Sequence, residues 1–279
     1  MKVIKLALRS ILHFRMYSGI NMLGMALSLA CVIIIFRYVH GELTVDRFNE
    51  KLDRIYVTTH ERVSNAVEIR FGAIWNPNNS ETFVDLTEHP GVEKHSLIQK
   101  LNEEIDLDNQ KYYTIILQTD SNFLKITDYP VIMGVDRLYE PNTALITESY
   151  AQKLFGNENP IGKTFKTSFD EIVTITGIIG SPSTKATLSF DIIASLSERM
   201  RSSGGRSTLV LLYPNVDYQE INRQYEDFFK ETLDFIRYQL FPLSKVYFDK
   251  KSITYRGTLF MQGNYTYIKK GDFGMMIQT

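Results

Sequence analysis

The chain has 279 residues, with 31 Lys or Arg against 32 Asp or Glu, a formal net charge of -1 and a single cysteine, Cys31. That balance supplies no global field to recruit nucleic acid, and one cysteine leaves no disulfide and no thiolate metal site outside its own neighbourhood. Setting the first forty residues aside leaves about 240, enough for one large domain or two small ones with a real core.

At the N-terminus, Val3, Ile4, Leu6, Ala7, Leu8, Ile11 and Leu12 alternate with Lys2, Lys5 and Arg9 in a helical rhythm, the pattern of a helix lying in the headgroup layer. From Met16 to Phe36 there follow 21 residues without Asp, Glu, Lys, Arg or His. As a helix that run is about 31 Å long, the thickness of a hydrocarbon core. It is longer than the apolar region of a cleaved signal and leads into Arg37-Tyr38-Val39-His40-Gly41 without an A-x-A site, so an uncleaved anchor is expected. Lys2, Lys5, Arg9 and Arg15 precede the span, whereas Arg37 is soon followed by Glu42 and Asp46, which places the N-terminus in the cytoplasm and the rest outside. Cys31 lies inside the span, and a cysteine-free exterior fits a bacterial periplasm. Within the span Gly24 and Ser28 form a small-xxx-small pair, a candidate contact for another helix.

Beyond the anchor, residues 54–59 (R-I-Y-V-T-T) and 66–71 read as strands by their β-branched and aromatic content. A polar turn at Trp75–Ser80 then predicts a helix over 82–88, stopped by Pro90 and Gly91, and a strand over 92–100. The acidic stretch 102–108 (N-E-E-I-D-L-D) reads as a solvated loop; its spacing does not fit a calcium-binding EF-hand. Strands are predicted at 112–118 and 143–147. Thr147 is placed to cap a short helix with Tyr150, Ala151, Leu154 and Phe155 on one stripe and Gly156 at its end. Residues 163–167 and 172–179 read as a hairpin. In the last third, 209–213 predicts a strand. From Asp217, with Glu220 three residues on, Ile221, Tyr225, Phe228, Phe229, Leu233, Ile236 and Leu240 recur at helical steps until Pro242. Residues 244–248 are the expected closing strand.

Few patterns carry chemistry. Residues 156–164 (G-N-E-N-P-I-G-K-T) superficially suggest a phosphate loop, but five residues rather than four separate Gly156 from Gly162, a helix rather than a strand precedes it, and Pro160 removes a donor. A helix cap followed by a turn is the better reading. His13, His40, His60, His89 and His95 show no zinc spacing, and neither a G-x-S-x-G elbow nor an S-x-x-K pair occurs. No catalytic, cofactor-binding or metal-binding residue is assigned, and no enzymatic activity is expected.

Residues 5–30 (K-L-A-L-R-S-I-L-H-F-R-M-Y-S-G-I-N-M-L-G-M-A-L-S-L-A), 39–56 (V-H-G-E-L-T-V-D-R-F-N-E-K-L-D-R-I-Y), 142–165 (N-T-A-L-I-T-E-S-Y-A-Q-K-L-F-G-N-E-N-P-I-G-K-T-F) and T-I-T-G-I-I from Thr174 together resemble the MacB/FtsX family of ABC transporter permeases, in its Bacteroidetes-type form. The resemblance implies an α+β protein: an N-terminal transmembrane helix followed by a MacB-like periplasmic core, with an α/β porter-like lobe and an inserted β-rich lobe. The corresponding domain boundaries are 1–40 for the cytoplasmic N-terminus and span, 41–265 for the core with its β-rich insert at about 100–185, and 266–279 as an aberrant C-terminus. It also implies an inner-membrane permease dimer working with a separate cytoplasmic ABC ATPase, in contact with membrane lipid and a periplasmic adaptor or cargo. Such permeases couple the ATPase to periplasmic movement, or mechanotransmission, in the efflux of peptides, toxins, antibiotics or lipoproteins. Family members continue into three further spans; here Lys269-Lys270-Gly271-Asp272-Phe273 stands where the second is expected, which predicts a truncated chain. The competing readings are a single-pass sensor or interaction module without transport activity, and a membrane-anchored periplasmic enzyme.

Overall fold

A computed structural model of the chain describes residues 13, 15–64, 67–71, 89–197, 207–232 and 236–248. Helix α1, Arg15–Leu43, runs 29 residues, or about 44 Å, with no residue buried. It is long and apolar enough to cross a membrane. Among the described residues five further helical segments and eleven strands follow: a 3-10 turn Leu52–Arg54, β1 Ile55–Ser64, β2 Val67–Phe71, β3 Val92–Leu107, β4 Gln110–Thr119, α2 Phe123–Ile126, β5 Val131–Gly134, β6 Thr143–Thr147, α3 Glu148–Phe155, β7 Thr164–Lys166, β8 Ile172–Ile179, β9 Ile192–Ser195, β10 Ser207–Leu212, α4 Tyr218–Thr232, β11 Ile236–Pro242 and α5 Leu243–Val246. The expected helix at 82–88 lies outside the described residues.

All eleven strands join one sheet in the order β11-β1-β10-β3-β4-β9-β6-β8-β5, with β2 paired to β1 and β7 bridging β3 and β8. Among the described residues only β4 with β9 and β6 with β8 run parallel. Because β7 touches β3 at Asp106↔Lys166 and also pairs with β8, the path β3-β4-β9-β6-β8-β7 returns on itself and rolls this half of the sheet into a barrel-like ring. Strand alternation then sorts the core. One face sends Ile55, Val57, Ile98, Leu117, Leu145, Ile193, Leu209 and Leu211 into a core closed by Phe123, Ile126, Leu243 and Val246. On the ring's inner face Ile105, Ile116, Ile146, Ile175 and Ile192 meet Phe165 and, from α3, Tyr150 and Ala151. Over the β11-β1-β10 end, Tyr56, Val210, Leu212 and Leu240 pack with Ile221 of α4. Buried on both faces, β10 has all six residues in the interior.

The structure corrects three of the sequence expectations. Residues 102–108 are not a loop: they continue β3 and pair with β4 down to Leu107↔Gln110. The turn is Asp108-Asn109, both with positive φ of 54° and 64°, the two-residue form that matches strand twist. The acidic run is an alternation in which Glu103, Ile105 and Leu107 turn inward. Helix α4 ends at Thr232, and the Ile236 and Leu240 expected on it belong to β11, which pairs with β1 at Thr58↔Leu240. Residues 244–248 form no strand; α5 begins straight after Pro242 and buries Leu243 and Val246, three apart on one face.

Candidate functional site at the base of the anchor helix

The span residues identified from sequence all lie on α1. Met16 is 82% and Phe36 69% exposed. Gly24 has open space where a side chain would stand. Ser28 donates its hydroxyl to the Gly24 carbonyl at 2.9 Å, so its polar group is satisfied within its own helix and the pair presents a small flat surface.

What the sequence did not reveal is the joint where α1 meets the sheet. The helix runs seven residues past Phe36, then breaks: Thr44 turns its hydroxyl back onto the His40 carbonyl at 2.8 Å, and Asp46 takes a left-handed conformation with φ 60°. Asp46 is 2% exposed. Its amide donates to the Lys185 carbonyl at 2.7 Å. Its carboxylate accepts the Thr187 amide at 2.8 Å and, on the other oxygen, the Thr187 hydroxyl. Burial pushes the Asp46 carboxyl pKa up, and the two Thr187 bonds only partly offset this. Phe48 donates its amide to Thr184 Oγ1 at 3.2 Å, so 46–48 are threaded onto 184–187 from both sides.

A second set of bonds ties the same turn to α2 and β5. Asn49 Oδ1 accepts from the Asp128 amide at 3.0 Å, and the Asp128 carboxylate accepts from the Glu50 amide at 2.7 Å. Beneath them Phe48 meets the Tyr129 ring edge-on at 4.9 Å, and Tyr129, whose pKa burial raises, donates to the Leu188 carbonyl at 2.7 Å.

The third contact comes from the helix itself. Glu42, in the last turn of α1, receives Lys185 Nζ at 2.6 Å on one oxygen and the Tyr247 hydroxyl on the other. Lys185 Nζ also lies 2.9 Å from the Tyr247 oxygen. The hydrogen bond that Lys185 donates to Glu42 is the leading cause that holds its ammonium well above its ordinary pKa. Three segments far apart in sequence thus close on the end of one helix. Asp46 was the one detectable signal: a polar residue between Val45 and Arg47, just where a helix must stop.

The remaining sequence motifs resolve into structural roles. Thr147 Oγ1 accepts the Tyr150 amide at 3.4 Å and Gly156, φ 60°, ends α3. In the following turn Gly162 donates to the Ile175 carbonyl at 2.8 Å, and Lys163 pairs with Glu158 over the Phe155 ring. The donors and the lysine that a phosphate would need are therefore already engaged. Among the described residues no three His, Cys, Asp or Glu side chains gather as a metal site.

A long exposed apolar helix joined to a large mixed sheet makes this an α+β chain with one helix long and apolar enough to cross a membrane. The chain belongs to the MacB-like periplasmic core domain family, whose model matches residues 18–228. Among solved structures it is similar to a domain of a permease-type protein from Porphyromonas gingivalis, at 22% identity and a TM-score of 0.55 over 70% of this chain and 91% of that one. It also matches the periplasmic region of MacB from Actinobacillus actinomycetemcomitans (13% identity, TM-score 0.48, 75% and 98% covered). A further match is the extracellular domain of the noncanonic ABC-type transporter YknZ from Gram-positive bacteria (12% identity, TM-score 0.47, 66% and 99% covered). No curated protein matches.

Proposed function

We propose that this chain is a permease subunit that passes the working cycle of a separate cytoplasmic ABC ATPase through α1 into its periplasmic domain, driving export of a peptide-like or lipoprotein cargo. The observation that carries the reading is the joint. A tether needs only a flexible link between helix and domain, whereas here Glu42, Asp46, Phe48, Asn49 and Glu50 are each bonded to the sheet side within nine residues of chain. Motion of the helix is then motion of residues 184–188, and through Tyr129 of the core on one face of the sheet.

In this reading Met16–Phe36 spans the inner membrane with the basic N-terminal side in the cytoplasm. Residues 41–265 are the periplasmic core and 100–185 its β-rich lobe. Gly24 and Ser28 are where a second permease copy or a further helix approaches.

The test is purification of the tagged full chain from native membranes after mild cross-linking, with its partners identified by mass spectrometry. The expected result is an ATP-binding-cassette subunit in near-stoichiometric amount, lost when Gly24→Leu and Ser28→Leu disrupt the assembly of spans. Recovery of the chain without any ATPase, but with a periplasmic ligand bound to it, would overturn the reading in favour of an anchored interaction module.

A further inference from the structure

Because Lys185 and Tyr247 are hydrogen-bonded to Glu42, their distance from the bilayer follows from the length of α1. Glu42 stands six residues beyond Phe36, which is about 9 Å of helix. A polar layer of roughly 5–8 Å covers each side of the hydrocarbon, and a tilt of about 20° lowers the rise by under 1 Å. The joint is therefore held at the outer rim of the headgroups. What it exposes there is not an ordinary polar surface. Phe248, 50% exposed, stands edge-on to Tyr247 at 5.1 Å between ring centroids. Leu43 is 62% and Tyr38 69% exposed, and the exposed cations Arg47 and Lys245 flank them in sequence.

We infer that this collar is a lipid-contact surface, through which the domain rests on the phospholipid headgroups of the leaflet that α1 leaves. Phe248 enters the layer as an aromatic anchor, while Arg47 and Lys245 meet lipid phosphates. Phe248 gains by burying its apolar ring at the boundary between headgroups and acyl chains, and cations on flexible stems gain by reaching the phosphates. Basic residues close to an anionic leaflet are drawn toward it. A lipid surface is favoured over a protein partner because the helix length already places the collar against it. The consequence is mechanical: helix tilt presses one side of the collar into the headgroups, so the leaflet itself sets the resting angle of the domain. The inference rests on the reading that Met16–Phe36 spans the membrane, and the test separates the two.

Trp75 is the only tryptophan. In a Trp75→Phe background, three full-length variants each carry one tryptophan: Phe248→Trp in the collar, Ile34→Trp in the span and Tyr113→Trp on β4. Tyr113 is 81% exposed, and its pairing partner Glu104 lies ten residues, about 33 Å, along β3 from Lys94, which pairs through Leu211 with Ile55 where β1 begins just past the joint. The proteins are reconstituted into vesicles of phosphatidylcholine and phosphatidylglycerol containing lipids with a nitroxide on the headgroup or bromine deep in the acyl chains.

The expected result is headgroup quenching of Phe248→Trp several-fold greater than that of Tyr113→Trp, with little effect of deep bromine. If Phe248→Trp is quenched no more than Tyr113→Trp while bromine quenches Ile34→Trp, the span stands and the collar is not a lipid surface. If Phe248→Trp is shielded from aqueous iodide yet untouched by the nitroxide, a protein covers it, and the proposal is overturned in favour of that partner. If bromine fails to quench Ile34→Trp, the spanning reading itself fails and the collar falls with it.

Discussion

Asp46 combines three demands that few residues meet together: a left-handed backbone, two acceptor oxygens for one threonine, and tolerance of burial. Asn satisfies the first as well as Asp does, since short polar side chains hydrogen-bond locally in that conformation. Asp46→Asn keeps an acceptor for the Thr187 amide and turns a donor toward its hydroxyl, removing the charge whose desolvation raises the carboxyl pKa. Its stability near neutral pH is expected to stay within about 1 kcal/mol of the natural chain. Asp46→Ala leaves the partly buried Thr187 amide without its acceptor and strains the turn, a cost of about 2–4 kcal/mol. The pH dependence has a definite sign. A carboxyl whose folded pKa is raised contributes stability that is complete below its unfolded value of about 4 and is lost as pH rises through the folded value. Urea melts from mildly acidic to neutral pH therefore show this loss in the natural chain but not in Asp46→Asn; parallel profiles would remove Asp46 as the cause.

At the scale of elements, what the sequence made legible was whatever local chemistry decides. The cap on α3 was readable because Thr147, the apolar stripe from Tyr150 to Phe155 and Gly156 fall within ten residues. Thr147→Ala is expected to cost about 1 kcal/mol and Thr147→Ser to restore most of it, measured as thermal unfolding midpoints. The boundary of α4 was unreadable because a three- and four-residue recurrence continues from Ile221 to Leu240, and only pairing with β1, remote in sequence, pulls the later part into a strand. Tertiary pairing overrode the local period there. The β3–β4 hairpin failed for a different reason: charge drew attention away from a period of two and from the Asp108-Asn109 turn. That turn makes its own prediction. Asn109→Gly should leave stability unchanged or raise it, whereas Asn109→Val, β-branched at φ 64°, should cost about 1–2 kcal/mol. Equal midpoints for the two variants would mean that the turn does not set the hairpin. At the end of the strand order among the described residues, β5 exposes Val131, Ile132 and Met133. Ile132→Lys, at 52% exposure, is expected to change stability by under about 0.5 kcal/mol while lowering aggregation on heating.

For the whole molecule the question is whether helix and sheet move as one body. The bonds of the joint divide into two kinds. Asp46 with Thr187, and Asn49 with Asp128, are backbone-anchored and close to the fold of the domain itself. Glu42 with Lys185 and Tyr247 is the only one of these contacts made from the helix proper, and its side chains are partly solvated, so it governs angle rather than folding. Two spin labels read that angle directly. With Cys31→Ser removing the native thiol, one label at Val39 on α1 and another at the exposed Tyr139 on the loop between β5 and β6 report the distance between helix and domain by pulsed electron resonance. The natural joint is expected to give one narrow distance distribution in lipid nanodiscs. Glu42→Gln combined with Lys185→Met should broaden it at least twofold while leaving the unfolding midpoint of the domain unchanged, because the Asp46 and Asn49 contacts remain. A distribution that stays narrow in the double variant would show that the backbone-anchored contacts alone fix the helix. Force would then enter the sheet at residues 184–188 and not through the Tyr247 arm. A distribution already broad in the natural chain would make α1 a tether, and the transmission of an ATPase cycle along it would have no mechanical basis.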